Sequence, residues 1–220
     1  AIRVRDDRTT SGWRDLDYDL AFRTDGLVSP KSGLFSLFIS GGGTASQVAS
    51  SGVVRVTSSD GALLGFSWLG ALPKPVLVGP KATYSEVLPG VDLVIEATPS
   101  GFEQFFVLNV KPSADVLASL VLPLKTKKVS VVENSDGSFT FENSANDEVA
   151  SLPTPRVWDS SFEPKSGSAV EGELNANLNV ASNTLELGGL AAFLENPDLV
   201  YPVIVDPALT LNPLSDVYVR

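Results

Sequence analysis

Carboxylates are the reactive groups this chain holds in quantity: 26 Asp and Glu against 16 Lys and Arg, with no His and no Cys in 220 residues. Without imidazole or thiol there is no Ser-His-Asp or Cys-His relay, no His- or Cys-ligated zinc and no ordinary base titrating near neutral pH. Paired carboxylates remain, and their chemistry is glycoside hydrolysis at separations of about 5 to 9 Å. Asp92 and Glu96 would share one strand face about 13 Å apart, outside that span. A three-residue turn at Pro99-Ser100-Gly101 sets Thr98 against Phe102, so that Glu96 opposes Gln104 and Glu103 points to the other face. No visible pair converges. The residues therefore predict no catalytic site, no cofactor and no metal. Asp15, Asp17 and Asp19 step along one strand face about 6.6 Å at a time, too widely for one calcium ion, and read as a solvated face.

Other candidates carry binding rather than catalysis. Trp13, Trp158 and Tyr201, with Tyr84, are rings of the type that stack on the apolar faces of sugars, though core packing is the commoner use of such rings. Gly41-Gly42-Gly43 has neither the lysine nor the strand-turn-helix setting of a phosphate loop and reads as a turn. Net charge is −10, and no basic run exceeds Lys127-Lys128, so no phosphate-binding stripe is visible and nucleic acid is not an expected partner. No apolar run reaches the length of about 20 residues needed to span a bilayer.

Short apolar runs broken by turn residues must position these groups, the pattern of an all-β fold. Leu16, Tyr18, Leu20 and Phe22 alternate with polar neighbours. Leu34 to Ile39 reads as an inner strand, Val91 to Thr98 and Phe102 to Asn109 as a central hairpin, and Val129 to Glu133 with Ser138 to Glu142 as another. Leu174 to Val180 pairs with Thr184 to Leu187, and Val200 to Val205 with Leu209 to Leu211 closes the sheet. Short helices are expected only at Ser113 to Leu120 and Leu190 to Glu195. The predicted fold is a large antiparallel β-sandwich of about fourteen strands over residues 1–211. One domain or a two-lobed super-sandwich, with lobes 1–111 and 112–211, both fit the pattern. Residues 212–220 read as a linker or the start of a following domain.

Several stretches in order carry a family resemblance. They are Gly12-Trp13-Arg14-Asp15, Thr24-Asp25-Gly26, Ile39-Ser40-Gly41-Gly42-Gly43, Phe66-Ser67-Trp68 and Leu72-Pro73-Lys74-Pro75, then the run Ala82 to Leu93, Leu124 to Lys127, Pro155 to Asp159 and Tyr201 to Pro207. The chain resembles the N-terminal β domain of large secreted actinobacterial proteins that go on to DNRLRE, LamG-like or Rhs/YD-repeat regions, and Leu214 to Val219 is similar to a DNRLRE opening strand. The resemblance implies export or cell-surface placement and a non-catalytic structural or adhesive role beside downstream domains of the same polypeptide. With the missing catalytic groups, it makes a non-enzymatic module the expected function. Alternatives are a domain binding extracellular glycan or a cell-wall component through Trp13, Trp158 and Tyr201, a shell or pro-domain for a downstream toxin region, and a carboxylate-only hydrolase.

Overall fold

The computed structural model describes residues 3–5, 12–57, 61–161, 170–179, 181–207 and 209–211. In chain order the elements are β1 (Arg3–Arg5), β2 (Trp13–Asp15), β3 (Asp17–Phe22), β4 (Val28–Ser32), β5 (Ser36–Ile39), α1 (Ala45–Ser51), β6 (Val54–Thr57), β7 (Leu63–Phe66), β8 (Val76–Val78), β9 (Lys81–Leu88), β10 (Val91–Thr98) and β11 (Gly101–Leu108). They continue with α2 (Ala114–Ala118), β12 (Val121–Lys127), β13 (Ser130–Glu133), β14 (Phe139–Glu142), β15 (Glu148–Leu152), β16 (Arg156–Trp158), β17 (Glu171–Glu173), β18 (Asn175–Asn179), β19 (Thr184–Gly188), α3 (Leu190–Phe193), β20 (Val203–Asp206) and β21 (Leu209–Leu211).

Two large antiparallel sheets form a sandwich, so the all-β expectation stands. The smaller runs β18-β19-β12-β7-β6-β5-β4-β3; the larger follows β13-β14-β15-β21-β11-β10-β9-β8, with β20 also on β11, β16 on β20 and β17 on β16. Each sheet draws strands from both sides of Lys111, while among the described residues β1 and β2 pair only with each other. Asp60 of the expected Asp60-Gly61 turn, Asp6 and Asp7, most of the polar loop after Lys165, and residues 212–220 lie outside the described residues. Among the described residues no helix is long and apolar enough to cross a membrane.

Alternation along the strands builds the core. In β10 the odd residues Val91, Leu93, Ile95 and Ala97 are buried while the even ones are not. Phe66 of the smaller sheet meets Phe102 of the larger edge-on at 6.1 Å, and Trp68 lies 6.1 Å from Phe106. Each such ring removed from water contributes about 1.5–3 kcal/mol. A polar tie crosses the same interior: the buried hydroxyl of Tyr84 donates to the Ser40 carbonyl at 2.5 Å.

The central hairpin forms between the predicted segments but in a different register. Thr98 pairs with Gly101, leaving only Pro99 and Ser100 in the loop. A one-residue slip reverses every facing on one strand: Phe102, Gln104, Phe106 and Leu108 are buried and Phe105 and Val107 lie on the outer face. The physical reason is twofold. This register buries three large apolar side chains, and Gly101 serves as a strand residue because β21 approaches so closely that a Cβ there would stand 2.9 Å from Leu211 Cγ.

Helices α2 and α3 form where expected, and α1 is an addition. Its start is a capping box, with Gln47 Oε1 accepting from the Thr44 amide at 2.9 Å, a Thr-x-x-Gln signal present in the sequence. Its seven residues are mostly Ala and Ser, so it lacks an apolar stripe and only Val48 is buried. Strands number twenty-one among the described residues rather than about fourteen, because bends cut extended runs into pieces of three or four residues.

Candidate functional site

The corrected register places on the outer face of the larger sheet a row of ionisable groups that the sequence-derived register keeps apart. Glu96 of β10 stands directly opposite Glu103 of β11, where Cβ atoms lie about 4.5–5.5 Å apart. On the β9 side Glu96 is paired with Lys81, whose Nζ is 3.0 Å from Glu96 Oε2. Beyond β11, strand β20 ends at Asp206, which pairs across the ladder with Arg156 of β16. Arg156 in turn donates to Glu171 of β17 at 2.7 Å. Lys81, Glu96, Glu103, Asp206, Arg156 and Glu171 thus cross the sheet in sequence.

Asp206 is the distinctive member. Among the described residues its Oδ1 is buried with no hydrogen-bond partner. Burial pushes its carboxyl up to about 7, the negative charge of Glu103 adds to the rise, and the Arg156 guanidinium opposes it. The register that pairs Phe106 with Val205 brings Phe105 level with Asp206, and Phe105 stacks edge-on against Trp158 at 6.4 Å. A carboxyl half-protonated near pH 7 can give or take a proton. A neighbouring guanidinium can hold a phosphate oxygen.

A second buried carboxylate behaves in the opposite sense. Burial alone would raise Asp159, but hydrogen bonds from the Ser161 hydroxyl at 2.5 Å, the Val200 amide at 2.9 Å and the Ser161 amide at 3.1 Å hold it below the ordinary range. It staples the end of β16 to the segment before β20.

The sequence-nominated rings occupy separate places. Trp158 lies on the outer face beside Phe105, Trp13 sits on β2 in the β1–β2 ribbon, and Tyr201 packs against the core with its hydroxyl buried, which raises its pKa. Tyr84 is wholly inside the core. Asp17 and Asp19 both reach Lys31, at 3.8 and 3.2 Å. Among the described residues no three acidic side chains are grouped to hold a metal ion. Asp206 escaped the sequence reading because it ends an apolar run, Val203-Ile204-Val205, and nothing local marks it as buried beside Glu103.

No family model and no solved structure matches the chain. Among curated proteins it is similar to the tRNA(Glu)-specific nuclease WapA of Bacillus subtilis subsp. natto, with 28% identity over 139 residues. The tRNA3(Ser)-specific nuclease WapA of Bacillus spizizenii and the tRNA nuclease WapA of Bacillus subtilis strain 168 each show 27% identity over the same length. The match covers 62% of this chain and 6% of each relative, so the chain spans a small part of the proteins it resembles.

These relatives overturn three expectations: a non-catalytic module, a protein that is not an enzyme, and a partner list without nucleic acid. The difference is one of scale. Lack of His and Cys bounds the chemistry of 220 residues and not of a much longer polypeptide. A net charge of −10 is a global sum, whereas polyanion contact depends on cations gathered locally from separate strands. The outer-face row also shows that carboxylates do meet in this fold, since Glu96 and Glu103 are opposed.

Proposed function

We propose that the polypeptide to which this sandwich belongs is a nuclease acting on tRNA. The observation that carries the reading is the 139-residue similarity to three proteins each named as a tRNA nuclease. Cleavage of RNA by attack of a 2′-hydroxyl on the adjacent phosphate forms the O2′–P bond of a 2′,3′-cyclic phosphate and breaks the P–O5′ bond; a base takes the 2′-hydroxyl proton, an acid protonates the leaving 5′-oxygen, and a cation steadies the phosphate oxygens. The Asp206, Glu103 and Arg156 groups are of the kinds that reaction uses. We also propose that the protein works outside the cell or at its surface. Support comes from the resemblance of the stretches from Gly12 to Pro207 to secreted multidomain proteins.

The test is incubation of total tRNA with the natural protein that contains this chain, with and without magnesium, from pH 5.5 to 8.5. Shortened tRNA is the expected product. Intact tRNA under every condition would overturn the reading. The Asp206→Asn protein run alongside divides the outcome further: a rate that falls and loses its pH dependence near neutrality puts this row in the reaction, while an unchanged rate places scission elsewhere in the polypeptide.

A further inference from the structure

The outer face of the smaller sheet gathers the opposite charge. Strand register aligns Phe38 of β5 with Arg55 of β6, Arg55 with Gly65 of β7, and Gly65 with Lys125 of β12. The row spans about 14 Å at the usual spacing between strands. Lys127 follows Lys125 on the same face, about 6.6 Å along β12. Arg23, just beyond β3, reaches the row from the other end. Its guanidinium lies 5.2 Å from the Phe38 ring centre and that of Arg55 lies 5.1 Å from the same centre. One ring thus holds two guanidinia in place. Gly65 leaves the space through which Arg55 runs, since a Cβ there would stand 2.8 Å from Arg55 Cβ.

Among the described residues these charges are incompletely compensated: the one carboxylate that acts on Arg23 and Arg55 is that of Asp25. Arg23 is paired with Asp25 at 3.1 Å. Arg55 donates to the Ser51 carbonyl, and Lys125 to the carbonyls of Ala49 at 2.7 Å and Ser50 at 2.5 Å, so both close the C-terminal end of α1. Those carbonyls satisfy hydrogen bonds but carry no unit charge. Burial, and then the positive charge of Arg55, lowers the Lys125 pKa. Four cations on one face of a chain with net charge −10 cost stability through mutual repulsion, a cost that a polyanion lying across them removes.

We infer that this face, through Arg23, Arg55, Lys125 and Lys127, binds the sugar-phosphate backbone of RNA. The inference rests on the tRNA reading above and adds to it a substrate-holding surface distinct from the Asp206 row on the opposite sheet. Contacts of this kind are sequence-independent and weaken with salt.

The test uses the 220-residue chain and fluorescently labelled bulk tRNA in an anisotropy titration. Four phosphate contacts predict that raising salt from 50 to 200 mM weakens binding by about 50- to 150-fold. Arg55 and Lys125 also cap α1, so the decisive variant is Arg23→Gln with Lys127→Gln, which leaves that cap intact. Its binding at 50 mM salt should fall at least about tenfold, and its loss over the same salt range should shrink to about 7- to 12-fold. Lys111→Gln, in the pair with Glu195 at 3.1 Å, should bind as the parent does. Absence of tRNA binding at 50 mM salt, or a double variant that binds normally, overturns the inference. Polyglutamate competing as well as tRNA would also overturn it, by making the face a general anion surface. The two readings fail separately. A protein that cleaves tRNA while the sandwich binds none sinks this inference alone, and a sandwich that binds tRNA within a protein that leaves it intact sinks the nuclease.

Discussion

Replacing Asp206 with Asn should stabilise the sandwich in a way that depends on pH. In the fold the carboxyl holds its proton up to about pH 7, whereas its ordinary value is 3.8. A folded-state value above the unfolded one makes the side chain's contribution fully favourable below pH 3.8 and progressively lost as pH rises to about 7. At 1.36 kcal/mol for each tenfold change in proton affinity the ceiling is about 4 kcal/mol. Water reaching this partly exposed side chain brings it to roughly 2 kcal/mol. Asn keeps the shape of the protonated acid and cannot ionise. The variant should therefore match the parent near pH 4, gain through pH 5 and 6, and hold an advantage of roughly 2 kcal/mol above pH 7. That is about 4–8 °C in Tm for a domain of this size. Thermal melts followed by circular dichroism at pH 4, 5.5, 7 and 8.5 read the difference. A gap constant with pH, or a parent more stable than the variant at pH 8.5, would refute the buried, Glu103-facing placement of Asp206.

Asp159→Asn should behave in the reverse sense. The depressed carboxylate contributes stability above its unfolded pKa and loses it as pH falls through the folded value, so the variant should cost about 2–3 kcal/mol at pH 7 and the deficit should narrow below about pH 4 in urea melts. Tyr84→Phe removes the hydroxyl bonded to the Ser40 carbonyl and leaves that buried carbonyl unpaired. A loss of about 1–3 kcal/mol in unfolding free energy, read as a lower urea midpoint, is expected with little change in secondary structure. Gly65→Ala would put a Cβ 2.1 Å from the Val54 carbonyl oxygen and 2.6 Å from Arg55 Cα, splitting β6 from β7. It should cost about 3 kcal/mol or more, and amide exchange should accelerate first in those two strands.

How much of this was legible beforehand can be judged strand by strand. Turn chemistry and period-two alternation locate the β3, β10, β11, β13, β14, β18 and β19 segments, because each depends on local residues. What alternation alone leaves open is which side of a two-sided apolar strand faces the core. Phe102, Phe105, Phe106, Val107 and Leu108 offer large apolar groups to both faces, and the choice is made by β21, which lies more than a hundred residues away and seats Leu211 against Gly101. That single slip hid the Glu96–Glu103 pair and the row it belongs to. The basic face was invisible for a related reason. Arg23, Arg55 and Lys125 are separated by 32 and 70 positions and meet only because β5, β6, β7 and β12 are neighbours in one sheet. Net charge and charge runs are properties of the chain; a polyanion surface is a property of the sheet order.

The central claim, that this sandwich belongs to a tRNA nuclease, meets its most direct test in sequencing of RNA ends after total cellular RNA is treated with the natural protein containing the chain. Breaks concentrated at defined positions within one or a few tRNA species are predicted, with ribosomal RNA left whole. An RNA population indistinguishable from the untreated one, or uniform fragmentation of every RNA present, would contradict it.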